Sequence, residues 1–171
     1  MSVVEHAPIR IVTREATVED VRYLDEAFEQ LSAESRYYRF FSAMPIMPES
    51  VRAHLVDIDG VRHGAVIALD ALAGHDEGVE GKPVGVARWV VDASGTPHLS
   101  ITVIDEYHGL GVGTQLFRDL IELARERGVT HLHADVLATN GAMKALMRRF
   151  GGHSIPSGDA SVVAYDLPLP S

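Results

Sequence analysis

Cysteine is absent from the 171 residues. That excludes a disulfide framework, a thiolate zinc site, an iron–sulfur cluster and a cysteine nucleophile. Basic residues are scarce: Lys and Arg total 15 against 24 Asp and Glu, for a formal net charge of −9. Phosphate contacts need clustered Lys and Arg, so a nucleic-acid partner is not expected. No window approaches the ~20 apolar residues of a membrane span. The first residues, with Glu5, His6, Pro8, Arg10 and Arg14 among them, lack the apolar core of an export signal. A soluble, cytoplasmic protein with no membrane partner is therefore expected. No internal repeat of about 20 to 50 residues is found.

What is present is a globular composition. Hydrophobic residues make up 46%, too many for a disordered chain. The length suits one domain, expected over residues 1–171 with its core at 9–167 and short flexible tails. Residues 8–17 alternate as a half-buried strand, with Ile9 and Ile11 on one side and Arg10 and Arg14 on the other. Thr17 and Asp20 form a capping box for a helix over 18–31, whose Val21, Leu24, Phe28 and Leu31 follow at helical spacing. Ser32 caps a second helix at 34–42, and 49–57 fit a short third one.

Residues 65–73 form an apolar run that predicts a buried strand. The acidic, glycine-bearing stretch 74–81 reads as a hairpin loop, 84–91 as the returning strand, 93–96 as a tight turn and 97–104 as the next strand. An amphipathic helix follows, with Leu116, Phe117, Leu120, Ile121 and Ala124 on its apolar face and Gly128 at its end. A strand at 132–137, a helix at 140–150 stopped by Gly151 and Gly152, and a strand at 161–166 complete the chain. Pro168 and Pro170 argue against continuing that strand in a sheet interior. Three strands joined by short turns predict an antiparallel meander, and the later strand–helix–strand segment can supply a parallel pair. The fold class is α/β with a mixed, mostly antiparallel central sheet flanked by helices.

The feature that can carry chemistry is a strand running into Gly109, Gly111 and Gly113 and then a helix. Glycines let the backbone turn sharply and approach a ligand closely. The helix start offers unpaired N–H groups and about half a positive charge. Together these suit a phosphate or pyrophosphate; the alternative is a purely structural turn. The nucleotide-loop patterns do not fit, because no Lys follows the glycines and their spacing is by two.

The run His108-Gly109-Leu110-Gly111-Val112-Gly113-Thr114 resembles the acyl-CoA pyrophosphate loop, Q/R-x-x-G-x-G/A, of the GNAT N-acetyltransferases. Thr102-Val103-Ile104 is similar to that family's preceding strand, whose backbone pairs with the pantetheine arm. Asn140 resembles its Asn at the start of the next helix, and Phe150-Gly151-Gly152 its Gly-Phe terminator in altered form. The order of elements agrees over nearly the whole chain. Leu31-Ser32-Ala33-Glu34-Ser35-Arg36-Tyr37-Tyr38-Arg39-Phe40-Phe41 is similar to a segment of the bacterial Pat-type protein lysine acetyltransferases.

The resemblance implies a GNAT fold that binds acetyl-CoA as co-substrate through Ile101, Thr102, Val103, His108, Gly109, Leu110, Gly111, Val112, Gly113, Thr114 and Asn140. It implies direct transfer of the acetyl group to an amine acceptor, a protein lysine, by a monomer or homodimer, with no metal. A small-molecule amine is the alternative acceptor. A CoA-binding sensor or regulatory module without catalysis is the alternative function. Direct transfer forms no acyl-enzyme, in keeping with the missing cysteine.

The catalytic residues depart from the family pattern. The strand Glu of Pat-type enzymes falls on His98 here. An imidazole titrates near pH 6.5 and can take a proton from an amine, directly or through water; a surface histidine is the alternative. Asp92 and Asp135 are weaker candidate bases; the alternatives are a turn residue for Asp92 and a solvated or hydrogen-bonded strand residue for Asp135. The Tyr that many members use as general acid is Met147, while Tyr107 beside the loop is a packing candidate. His131 and His133 share a strand face, but two histidines alone make a poor metal site unless Asp135 joins them. The Arg36–Phe41 aromatics could line an acceptor groove or belong to the core. Arg148 and Arg149 read as a solvated helix end.

Overall fold

The local signals at the N-terminal side produce the elements they predict. In the computed structural model, which describes residues 8–42, 44–73 and 80–170, β1 covers Ile11–Glu15. Thr17 then caps a 3₁₀ turn at Val18–Asp20, with the capping box to Asp20 formed, and α1 runs over Val21–Glu29. The Ser32 hydroxyl accepts from the Ser35 amide to start α2, Ala33–Phe40. That helix stops short of residue 42 because Phe41 turns left-handed, at φ 57°. Pro48 precedes α3, Glu49–Val56. The expected N-terminal tail and most of the acidic 74–81 hairpin loop fall outside the described residues.

The meander is β2 (His63–Asp70), β3 (Lys82–Val91) and β4 (Pro97–Val103). After it come α4 (Val112–Glu126), β5 (His131–Leu137), α5 (Gly141–Arg149), β6 (His153–Ile155) and β7 (Val162–Pro168). The seven strands lie in the order β1-β2-β3-β4-β5-β7-β6. All neighbours are antiparallel except β4 and β5, which run parallel and pair at one register, His98 with His133. Toward its C-terminal end β4 therefore leaves β5, and the sheet opens there. Among the described residues no helix is long and apolar enough to cross a membrane.

Helices cover both faces of the sheet. A Cβ on Gly85 would meet Leu116 of α4, whereas Arg88, three residues on and on the opposite face, reaches the Leu55 carbonyl of α3. On the α4 face Leu116, Phe117, Leu120 and Ala124 are fully buried, and Ile121 packs at the edge of that core. Trp89 lies across Gly64 on the neighbouring strand, where a Cβ would come within 2.0 Å of its ring. Tyr23, Ile58, Ala65, Ile67, Leu69 and Val86 form a second cluster.

The bounds differ from the sequence reading at α1, which ends at Glu29 and not at residue 31, and at β2, which spans His63–Asp70 and not 65–73; two larger differences concern β6 and β7. The sequence pattern does not predict β6: all three of its residues are exposed and too few to show alternation. The last strand also runs on through Leu167, fully buried, to Pro168. β6 covers β7 only over Ala164–Asp166, so beyond Asp166 β7 has one neighbour and Pro168 needs no second N–H partner.

Candidate active site

The glycine loop takes the shape the sequence requires of it. Gly109 and Gly111 are left-handed, at φ 75° and 83°, and a Cβ on either would meet nothing within 4 Å. Gly111 is the N-cap of α4, and its carbonyl receives the Gln115 amide at 3.1 Å. Among the described residues, none of the amides from Gly109 to Thr114 bonds to another backbone group. No acidic side chain sits in the first turn of α4, so the helix-start field is not cancelled. These free N–H groups are what an anion needs. His108 is placed differently from expectation: its Nε2 donates to the Val103 carbonyl at 2.8 Å, which leaves Nδ1 for a ligand.

The loop closes one end of a cavity of about 550 Å³. Ile101, Thr102 and Val103 of β4 form one wall, and Asn140, Gly141, Ala142, Met143 and Leu146 another. Every predicted binding residue except Leu110 lines it; Leu110 is half exposed beside it. Asn140 caps α5 through Oδ1 to the Met143 amide at 3.2 Å, so its Nδ2 remains for the cavity. Glu34, Ser35, Tyr38 and Arg39 of α2 form a third wall that the sequence reading named only as a segment. α2 is held there by Asp105, which accepts from the Ser32 amide at 2.9 Å and hydroxyl at 2.7 Å. Burial alone would raise the Asp105 carboxyl, but these bonds outweigh it and hold the group below the ordinary carboxylate range.

His98 lies outside the cavity lining, about 10 Å along β4 from Ile101, on the same strand face as Thr102. Its Nε2 is 2.7 Å from Asp92 Oδ2. Asp92 is not a bare turn residue: the Ser94 hydroxyl, the Thr96 amide and His98 hold it well below the ordinary carboxylate range. The β4–β5 register sets the His98 ring edge-on to His133, with centroids 5.0 Å apart, and His133 Nε2 meets Asp135 Oδ1 at 2.9 Å. One ligand atom from each of His98, His133 and Asp135 lies within 4.8 Å of the others, a set that could hold a metal ion. His131 is not part of it; its ring turns to Asp166 at 3.2 Å. Tyr107 is buried and its hydroxyl donates to Asp70 at 2.6 Å, so it is committed to the core. Met147 is fully buried and offers no acid.

A sequence model of the acetyltransferase (GNAT) family matches residues 49–152, a span that holds the meander, the glycine loop and α5. The chain belongs to the GNAT family. Acetyltransferase PA5475 of Pseudomonas aeruginosa is 29% identical over 162 residues, 93% of this GNAT chain and 84% of that protein. The crystal structure of the GNAT domain of S. lividans PAT superposes with a TM-score of 0.79 at 26% identity, over 96% of this chain and 100% of that one. The structure of yncA, a putative acetyltransferase from Salmonella typhimurium with its cofactor acetyl-CoA, has a TM-score of 0.71 at 15% identity, over 94% and 95% of the two chains. The shared feature is the GNAT fold, a mostly antiparallel sheet between helices.

Proposed function

We propose that this GNAT acetyltransferase moves an acetyl group from acetyl-CoA to the side-chain amine of a protein lysine. The observation that carries the reading is the row of free amides from Gly109 to Thr114 at the end of the 550 Å³ cavity. A pyrophosphate suits those amides, and the opening between β4 and β5 suits an extended arm that pairs with the free side of Ile101–Val103. The structure of yncA with acetyl-CoA supports the co-substrate. The likeness of residues 31–41 to Pat-type lysine acetyltransferases, and of the whole chain to S. lividans PAT, supports the acceptor.

In this reading the amine nitrogen forms a bond to the thioester carbonyl carbon, the carbon–sulfur bond breaks, and the sulfur leaves as a thiolate that solvent protonates. Backbone N–H groups near Val103 stabilise the developing oxyanion. His98 takes the amine proton through water, and Asp92 orients the ring. Met147, buried where many members carry a tyrosine acid, favours a second reading, a CoA-binding module without catalysis.

Turnover of acetyl-CoA, read as free thiol against lysyl peptides and small amines, separates the two. Transfer to peptides is expected; CoA binding with no transfer to any amine would establish the binding module. His98→Ala should lower kcat about 100-fold and flatten the limb of the pH profile that rises toward neutrality. An unchanged profile would reject His98 as the base.

A further inference from the structure

Beside the main cavity lies a smaller one of about 50 Å³, enclosed by α1, α2, α3 and the sheet. The two share Arg39 and Thr102 in their walls. Four charged side chains line the smaller cavity: Asp25, Arg39, Arg52 and Arg88. Asp25 and Arg52 cancel, joined by two bonds of 2.9 Å. Among the described residues, Arg39 and Arg88 have no carboxylate partner. Arg39 makes no hydrogen bond or ion pair among the described residues and stacks on Phe40, 4.7 Å from the ring centroid. Arg88 is 6% exposed; it gives Nη1 to the Leu55 carbonyl at 2.7 Å and to His63 at 3.1 Å, while its Nε and Nη2 find no partner among the described residues.

Such an arrangement is costly by itself. Burial, and then the charge of Arg39, push the Arg88 guanidinium below its ordinary value. Two like charges lining one small pocket stand out in a chain of net charge −9, whose Arg14, Arg52 and Arg127 all find acidic partners. A carboxylate would satisfy both: the fork of a guanidinium matches its two oxygens. The cavity has room for that group and a short stem but not for a second large moiety. The shared walls, Arg39 and Thr102, set it next to β4 and the cavity that the glycine loop closes.

We infer that the acceptor presents a carboxylate close in space to its reactive amine, and that Arg39 and Arg88 receive it. This rests on the transfer proposed above. The same chemistry can come from a free amino acid or from an acidic side chain next to an acceptor lysine.

The test compares matched acceptors with the full chain and acetyl-CoA: phenylalanine against phenylalaninamide, and lysyl peptides with a flanking Glu against the same peptides with Gln. The amide's amine is the less basic and so the more available at neutral pH, so a preference for the acid must come from the carboxylate. A kcat/KM ratio of about 10 to 100 in favour of the acid is expected in at least one pair, as a charged hydrogen-bonded contact gives. The pair that shows it identifies the source. Arg39→Gln should collapse that ratio toward one through KM, with CoA affinity measured in parallel by calorimetry. Arg39→Lys should restore part of it. Equal kcat/KM within both pairs, or a loss of CoA affinity in Arg39→Gln in place of the acceptor effect, would overturn the inference while leaving the transfer standing. No transfer to any amine would overturn both.

Discussion

His63 is a buried histidine held neutral by its neighbours. Burial first, and then the charges of Arg88 and His54, push its imidazole down to about 4. Arg88 Nη1 donates to its Nε2 at 3.1 Å, which only the neutral ring can accept. Because the folded value lies below the unfolded one, this residue stabilises the fold fully above about pH 6.5, and the contribution is lost as pH falls toward 4. Roughly 2 kcal/mol should be gone by pH 5. His63→Gln, which keeps an acceptor for Arg88 but does not titrate, should show a fall in Tm between pH 7 and 5 that is smaller by about 4–8 °C; parallel curves would reject the assignment. At this scale sequence reading reached His98, by counting back from the glycines, but not its partners. His133 meets His98 through a parallel register, and Arg88 and Arg39 line one cavity from a strand and a helix far apart in sequence. No local pattern encodes either juxtaposition.

Elements were read best where their ends carry their own chemistry. Thr17, Ser32 and Asn140 all cap the helices they precede, and Gly128 turns left-handed after α4. β6 escaped because three exposed residues acquire strand geometry only from their pairing with β7. The glycine loop permits a sharper test of an element. Gly111→Val must hold a left-handed backbone, at a cost of about 1–2 kcal/mol, yet a Cβ there stands in open space, with nothing beyond its chain neighbours within 4 Å. The variant should fold, with a lower Tm, while acetyl-CoA affinity falls roughly 100-fold, as the new side chain would stand over the free amides. Gly113→Ala separates strain from obstruction. Its φ is not left-handed and its Cβ makes ordinary contacts at 3.6 and 3.9 Å, so Tm should hold. Calorimetric titration and thermal melts read both; undiminished affinity in Gly111→Val would move the pyrophosphate elsewhere.

Across the whole molecule, the charge of −9 no longer bears on phosphate binding as composition first suggested. Clustered basic residues are not needed when helix-start amides do the holding. The net field still opposes the approach of a polyanion such as acetyl-CoA. Screening should relieve that repulsion, so KM for acetyl-CoA should fall as salt rises from about 10 to 150 mM, where the Debye length shortens from about 30 to 8 Å. A KM that climbs with salt would mean that cationic side chains dominate the approach. The lone register pair between β4 and β5 divides the sheet into a four-stranded leaf and a three-stranded leaf, joined at His98 and His133. The backbone of Ile101–Val103 is then an edge enclosed within the molecule, sheltered from neighbouring chains and available to a guest that acts as a missing strand. Filling the gap would bolt the leaves together, so occupancy should slow amide exchange in strands on both sides of the seam, far from any atom that touches the ligand.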